Sequence, residues 1–363
     1  MPSAAPARTS KASFDPSLPP FRVHAFGAGV QSMALLCAWA LESEDFARSD
    51  GSLWRGFFPE GKPDFAVYAD TQSESPAIAE AVDVARSLCA AAGVPFEVVT
   101  AGNLGIPKVA STGTQGIFVP LFTVSTEPRW VRSTTPVDPF AITRWTELEE
   151  IEATRGRTVA EQREFADIET QGVAMCIPAG EEGQLRRQCT SVYKIDPMMK
   201  RVYELAGNRP IEVWLGLSVD EPDRIKTGPN DRVRYFYPLI FNQNSNATQG
   251  EYSELAPMNR NDCVRHLSEL DITPAKSACV FCPYRSEFAW AKMKLEDPDS
   301  FERACEYDER MRDARPGYKC YVHRSRTPLR SVVFEALTAM TLELFDAINT
   351  SLSGGCEEGY CGL

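Results

Sequence analysis

Two groups of residues in this chain have the types and spacing to do chemistry. The first is Gly27, Ala28, Gly29, Val30, Gln31 and Ser32, which stand between a short apolar run and a segment with helical apolar spacing. Small residues let backbone N–H groups approach a phosphate, and a helix N-terminus favours negative charge, so this turn is a candidate phosphate site. A Gly-x-Gly turn also serves merely to seat a helix on a strand. The loop has neither the Gly-Lys-Ser/Thr of a Walker loop nor the full dinucleotide fingerprint. The second group is Cys279 and Cys282, a Cys-x-x-Cys knuckle that brings two thiolates within reach of one metal.

Eleven cysteines in 363 residues is a high count. No apolar run approaches the roughly 18 to 20 residues of a membrane span, and no signal sequence opens the chain, so a cytoplasmic protein is expected. Reducing conditions there favour metal binding or catalysis over disulfides. Hydrophobic residues make up 43% and charged residues 24%, as in an ordinary globular enzyme. The net charge of -12 argues against a uniformly basic nucleic-acid-coating surface, although local basic grooves stay open around Arg186 to Arg201 and Arg324 to Arg330. With only His24, His266 and His323, multi-histidine metal catalysis is not expected, and His24 falls within a strand where core packing is its default role.

The elements that must position these residues alternate. Phe21 to Phe26 reads as a strand, Ser32 to Leu41 as a helix, Asp64 to Asp70 as a second strand followed by a helix through Ala92, and Pro95 to Thr100 as a third strand. Ile211 to Ser218 returns to strand character. Such alternation predicts an α/β fold with a doubly wound parallel sheet. Residues 1–20, rich in Ala, Ser and Pro, are expected to be a disordered leader, 21–240 the α/β domain and 241–363 a helical, cysteine-rich C-terminal region. The stretch from about 102 to 186 reads as an insertion or lid with an acidic helix from Glu147 to Glu169, and another helix is expected from Leu329 to Leu352. Sheets of this kind bind ligands at the carboxyl ends of their strands, so Ser32, Asp70, Thr71 and Gly216 should converge on one crevice. Asp70 could instead cap a helix, and Arg224 could be a surface ion pair.

Gly27 to Ser32 resembles the Ser-Gly-Gly-x-Asp-Ser loop of the PP-loop ATP pyrophosphatases, the adenine-nucleotide alpha-hydrolase superfamily. Gly27 stands for the first Ser and Gln31 for the Asp, as in the branch that resembles phosphoadenosine-phosphosulfate (PAPS) reductases. The Gln31 amide can donate to phosphate but cannot hold Mg²⁺ as a carboxylate would. Asp70 and Thr71, with Glu74 after them, look like the family's Asp-Thr strand end, and Gly216, Glu221 and Arg224 look like its Gly-x-x-x-x-Glu-Ser-x-x-Arg segment. The resemblance implies a Rossmann-like (HUP) sheet and binding of ATP by Gly27 to Ser32. It also implies a role for Asp70, Thr71, Gly216 and Glu221 beside the nucleotide.

Cys189, followed by Thr190, matches an Arg-x-Cys-Thr segment of a PAPS-reductase-related group. The resemblance implies that Cys189 joins Cys279 and Cys282 around a [4Fe–4S] cluster whose open iron carries sulfur. A fourth ligand would suit structural Zn²⁺ or an inert cluster, with Cys263, Cys320, His323, Cys356 and Cys361 as candidates. Cys263 on a helix suits a buried apolar role, and Cys356 with Cys361 could relay sulfur or electrons. The function expected is adenylation of an acceptor by ATP and Mg²⁺, with Arg224 and Lys226 stabilising charge on phosphate. Sulfur held at the Cys189 centre would then displace AMP. A nucleic-acid base or backbone is one acceptor class; the sulfur donor stays open. Two alternatives are a sulfonucleotide reductase that releases sulfite and a zinc-stabilised nucleotide-binding module without turnover.

Overall fold

A computed structural model describes residues 14–41, 45–47, 53–55, 61–106, 108–109, 115–132, 139–171, 174–177, 179–240, 258–273 and 277–334. They fall into two compact units. One holds the described residues up to Pro120, Arg186–Tyr307 and those from Val333, and the other holds Leu121–Leu185 and Asp308–Val332.

The first unit is built on a sheet of β1 (Phe21–Phe26), β2 (Phe65–Asp70), β3 (Phe96–Thr100), β4 (Ile211–Trp214) and β5 (Val233–Phe236). The order is β5-β4-β1-β2-β3, with every pairing parallel. Helices cover both faces, as parallel sheets require. On one face Phe21, Val23 and Ala25 pack with Met198, Met199 and Val202 of the helix Asp196–Ala206. On the other, Phe26 and Tyr68 pack with α1 (Val30–Ala40) and α2 (Pro76–Ala91). All eleven residues of α1 are buried, because the helix Arg260–Glu269 covers the side that α2 and the sheet leave open. The chain goes from β1 outward to β2 and β3, then returns to lay β4 on the other side of β1. The sheet's topological switch point therefore lies between β1 and β4, where the loops after these strands part.

Several boundaries differ from the sequence-based expectation. Residues 14–20 are held rather than loose, since the Arg209 guanidinium donates to the carbonyls of Pro19 (3.0 Å) and Pro20 (2.8 Å). Residues 1–13 lie outside the described residues. The strand beginning at Ile211 stops at Trp214, and β5 was not anticipated. The division expected near residue 240 does not appear, because Arg186–Tyr307 stays with the sheet. Leu329–Ser331 is a 3₁₀ turn and residues 332–334 are not helical; the remainder of the helix expected there, with Cys356 and Cys361, lies beyond the described residues.

In the second unit, Phe122–Ser125 pairs antiparallel with Glu182–Gln184 on one side and Tyr318–Tyr321 on the other. The insertion thus recruits a segment from far along the chain. The buried Asp308 carboxylate fixes that segment by accepting the N–H groups of Val322 (2.7 Å) and Leu329 (3.0 Å). The expected acidic helix is two helices, Pro139–Arg155 and Val159–Gln171. Gly156 breaks it at φ 75°, and Thr158 with Glu161 forms a capping box through bonds of 2.8 and 3.3 Å. Among the described residues no helix is long and apolar enough to cross a membrane.

Core packing sets one pH response. Burial pushes the thiols of Cys37 on α1 and Cys89 on α2 up to about 12 from an ordinary value of 9.0. Below pH 9 both are protonated in folded and unfolded chains alike; between pH 9 and 12 only the unfolded chain ionises them. Stability should therefore fall above pH 9 by about 1 kcal/mol per pH unit for each thiol. Urea denaturation under reducing conditions at pH 8 and 10.5 measures this, and serine at both positions should make the fall shallower by the share of these two thiols.

Candidate nucleotide and cysteine site

The loop after β1 closes on the first turn of α1. The N–H of Gly27 donates to Ser32 Oγ at 2.9 Å, and Ala28 sits at φ 53°, a left-handed backbone that an alanine adopts only when its surroundings impose it. Gly29 occupies the N-cap position of α1 with no side-chain cap. The first-turn N–H groups of Val30, Gln31 and Ser32 have no intrahelical acceptor, which leaves donors and the positive helix end together. Behind Ser32 lies His24, whose Nε2 is 3.2 Å from Ser32 Oγ and whose Nδ1 receives the Trp39 indole N–H at 3.1 Å. The default role assigned to His24 was packing alone; its ring does pack, and it is also bonded at both nitrogens.

The loop after β4 lies directly on this turn. A Cβ on Gly216 would stand 2.5 Å from Ser32 Cα and 2.6 Å from Ser32 N, so only glycine fits. Gln31 is tied to the same segment. Its amide nitrogen donates to Glu221 Oε2 at 3.2 Å and Ser218 Oγ at 3.4 Å, while its oxygen accepts from Arg260 Nη1 at 3.5 Å. The amide expected to reach phosphate is thus engaged with Glu221, which is in turn paired with Arg224. An aspartate at position 31 would set a second carboxylate against Glu221, whereas the glutamine amide donates to it. Lys226 is exposed, and its backbone N–H and carbonyl both bond to the Tyr237 hydroxyl, at 2.8 and 3.0 Å.

Asp70 and Thr71, adjacent at the end of β2, diverge. Asp70 accepts the N–H of Gln72 at 2.7 Å, stabilising a turn in which Gln72 has φ 56°, and it lines a groove with Glu74, Arg86 and Arg303 to which none of Gly27 to Ser32 contributes. Ser75, not Asp70, occupies the α2 N-cap position. Thr71 turns the other way, donating to Glu74 Oε1 at 2.6 Å with its Oγ1 3.4 Å from Cys279 Sγ.

Thr71 lines a second pocket together with Cys189, Cys279, Cys282, Arg187, Lys194 and Ser277, closed by Leu104, Val119 and Phe281. The knuckle is stitched to the β2–α2 loop by a bridge between Glu74 and Cys279 and by the Val280 N–H donating to the Ser73 carbonyl at 2.8 Å. Cys189 enters at the head of a π-helical turn, Ser191–Ile195, with its N–H on the Phe118 carbonyl at 2.9 Å. Ser277 joins the two halves of the site: its hydroxyl donates to the Gly27 carbonyl, and a Cβ on Gly29 would stand 3.4 Å from Ser277 Cβ. Nothing in the local sequence singled out Ser277.

Burial pushes the Cys279 thiol up to about 12, with Glu74 adding to the shift and Lys194 opposing it. Cys282 is raised by burial and eased by Arg285 and Arg187. Among the described residues no three His, Cys, Asp or Glu side chains gather around one metal ion. The three cysteines instead surround a pocket. A cluster spreads its sulfur ligands over several irons and does not need them gathered around one ion. Arg285 follows the knuckle and is not among the residues that line the pocket. It is 7% exposed, its Nη2 reaches only the carbonyls of Ala278 (3.4 Å) and Cys279 (3.1 Å), and its Nε has no partner. A buried cation of this kind is stabilised by thiolates beside it. Of the fourth-ligand candidates, Cys263 packs in the α1 core, as a buried apolar cysteine should. Cys320 and His323 are buried in the second unit, where His323 Nδ1 bonds Ser325 at 2.8 Å. Cys305 is buried as well. No family model, curated protein or solved structure matches this chain.

Proposed function

We propose that this chain is an adenylating enzyme that binds ATP at Gly27 to Ser32 and transfers sulfur to an acceptor with a cysteine-held [4Fe–4S] cluster beside the nucleotide. The observation that carries the proposal is Ser277, which bonds the glycine loop at Gly27 and lines the cysteine pocket. Activation chemistry and sulfur chemistry then share one place, as two-stage transfer demands.

The phosphates would lie on the free N–H groups of the α1 first turn, with Mg²⁺ riding on the phosphates, since Gln31 offers no carboxylate. An acceptor oxygen attacks the α-phosphorus, the bond to the β,γ-pyrophosphate breaks, and pyrophosphate leaves with the charge. Arg224 and the exposed Lys226 are the cations placed on the Glu221 loop to offset that charge. A sulfur nucleophile then attacks the activated acceptor and AMP departs. Cys189, Cys279 and Cys282 would hold the cluster, which when bound supplies the iron that carries the sulfur. A nucleic-acid base or backbone is the acceptor class that the PP-loop resemblance supplies.

The test is a product assay on anaerobically purified chain with ATP, Mg²⁺, sulfide and transfer RNA. AMP and pyrophosphate in equal amounts are expected. Sulfite release from PAPS, with no pyrophosphate from ATP, would replace this function with the reductase alternative, and one bound zinc with no nucleotide turnover would leave a binding module.

A further inference from the structure

We infer that His24, held by Trp39, is a positioning residue that fixes the Ser32 hydroxyl as a hydrogen-bond donor to a bound phosphate oxygen; this rests on the nucleotide site proposed above. An indole N–H can only donate, so the 3.1 Å bond from Trp39 Nε1 makes His24 Nδ1 an acceptor. The neutral ring then carries its proton on Nε2 and donates it to Ser32 Oγ, 3.2 Å away. Ser32 Oγ also receives the Gly27 N–H at 2.9 Å. Both lone pairs of the hydroxyl are therefore engaged, and what it has left to offer is its own proton.

The arrangement is rigid. His24 is fully buried, and its ring meets Phe26 and Trp39 edge-on at 6.0 and 5.9 Å. Burial keeps the ring neutral, pushed down to about 3, so the relay holds its polarity across the physiological pH range. An unconstrained serine could turn its lone pairs toward a phosphate, and part of the binding energy would go into reorienting it. A serine locked as a donor needs no reorientation, which is the economy of a preorganised anion site.

The experiment is calorimetric titration of the full chain with ATP and Mg²⁺, with a melting curve for each variant. Ser32→Ala is expected to weaken binding by about tenfold to a hundredfold, the range for a hydrogen bond to a charged group. Trp39→Phe, which touches no ligand, is expected to weaken it several-fold, and to add nothing in the Ser32→Ala background. In a second pair, His24→Gln presents an N–H near the place of Nε2 and should bind more tightly than His24→Leu, which should lose no more than Ser32→Ala does. Losses from Trp39→Phe that are equal in both backgrounds, or equal binding by the two His24 variants, would overturn the positioning role while leaving the nucleotide site standing. No ATP binding by the unaltered chain would overturn the site itself and this role with it.

Discussion

Cys279→Ala is expected to strip the chain of its iron, from about four atoms per chain to well under one, and to abolish the visible absorption of anaerobically purified protein. Cys279 is bridged to Glu74 and lies beside Thr71, and with it gone only Cys189 and Cys282 of the three cysteines would line the pocket. Two thiolates do not retain a cluster built on three. ATP affinity should change by less than about threefold, because the knuckle meets the glycine loop through Ser277 and not through a thiol. Cys263→Ala serves as the comparison: its thiol packs in the α1 core, so that change should cost about 1 kcal/mol of stability and no iron. Iron content by colorimetric assay decides the matter. Unchanged iron in Cys279→Ala would remove the knuckle from the metal site, whereas one zinc lost per chain would make the cysteines structural.

Gly216→Ala is the second large effect, and it falls on the other half of the site. The new methyl would stand 2.5 Å from Ser32 Cα, 2.6 Å from Ser32 N and 2.8 Å from Gln31 C, all backbone atoms that no rotamer change can move aside. The β4 loop or the start of α1 must shift, at about 3 kcal/mol or more by the usual scale of overpacking. Since the shift displaces the N–H groups meant for phosphate, ATP binding should weaken at least tenfold as well. Gly27→Ala, although it lies in the loop itself, should be mild, because its Cβ would meet only Ser32 Cβ at 3.9 Å. Urea denaturation and ATP titration of the two variants side by side test the contrast. If Gly216→Ala proves as mild as Gly27→Ala, the close approach of β4 to α1 is wrong.

The tight contact also explains which expectations from sequence could succeed. Gly216 was singled out by its place in a motif, and the structure supplies the reason for it, a backbone laid on a backbone. Gln31 was singled out as a departure from a carboxylate whose amide could donate to phosphate, and the fold gives that amide a partner the sequence did not announce. Its amide donates to Glu221, 190 positions away. Asp70 and Thr71 looked like one functional unit because they are neighbours in the chain; the turn that bonds the Gln72 N–H to Asp70 sends them into separate pockets. The acidic helix near residue 150 was read as continuous because the glutamates run on, while the interruption lay in Gly156 and the capping box at Thr158 and Glu161, both of which were legible.

By itself the sequence determined the parallel sheet and the strand–loop–helix at Gly27, because apolar runs, their periods and the glycines that end them are local properties of the chain. It also marked the Cys279 and Cys282 pair, whose spacing is short enough to carry its own geometry. Tertiary structure alone decided that Ser277 meets Gly27, 250 residues away, that Arg285 is buried beside thiols, and that His24 is bonded rather than merely packed. The physical reason is that a contact between distant residues depends on how strands are ordered and helices stacked, and it imposes no period or spacing on the chain that forms it.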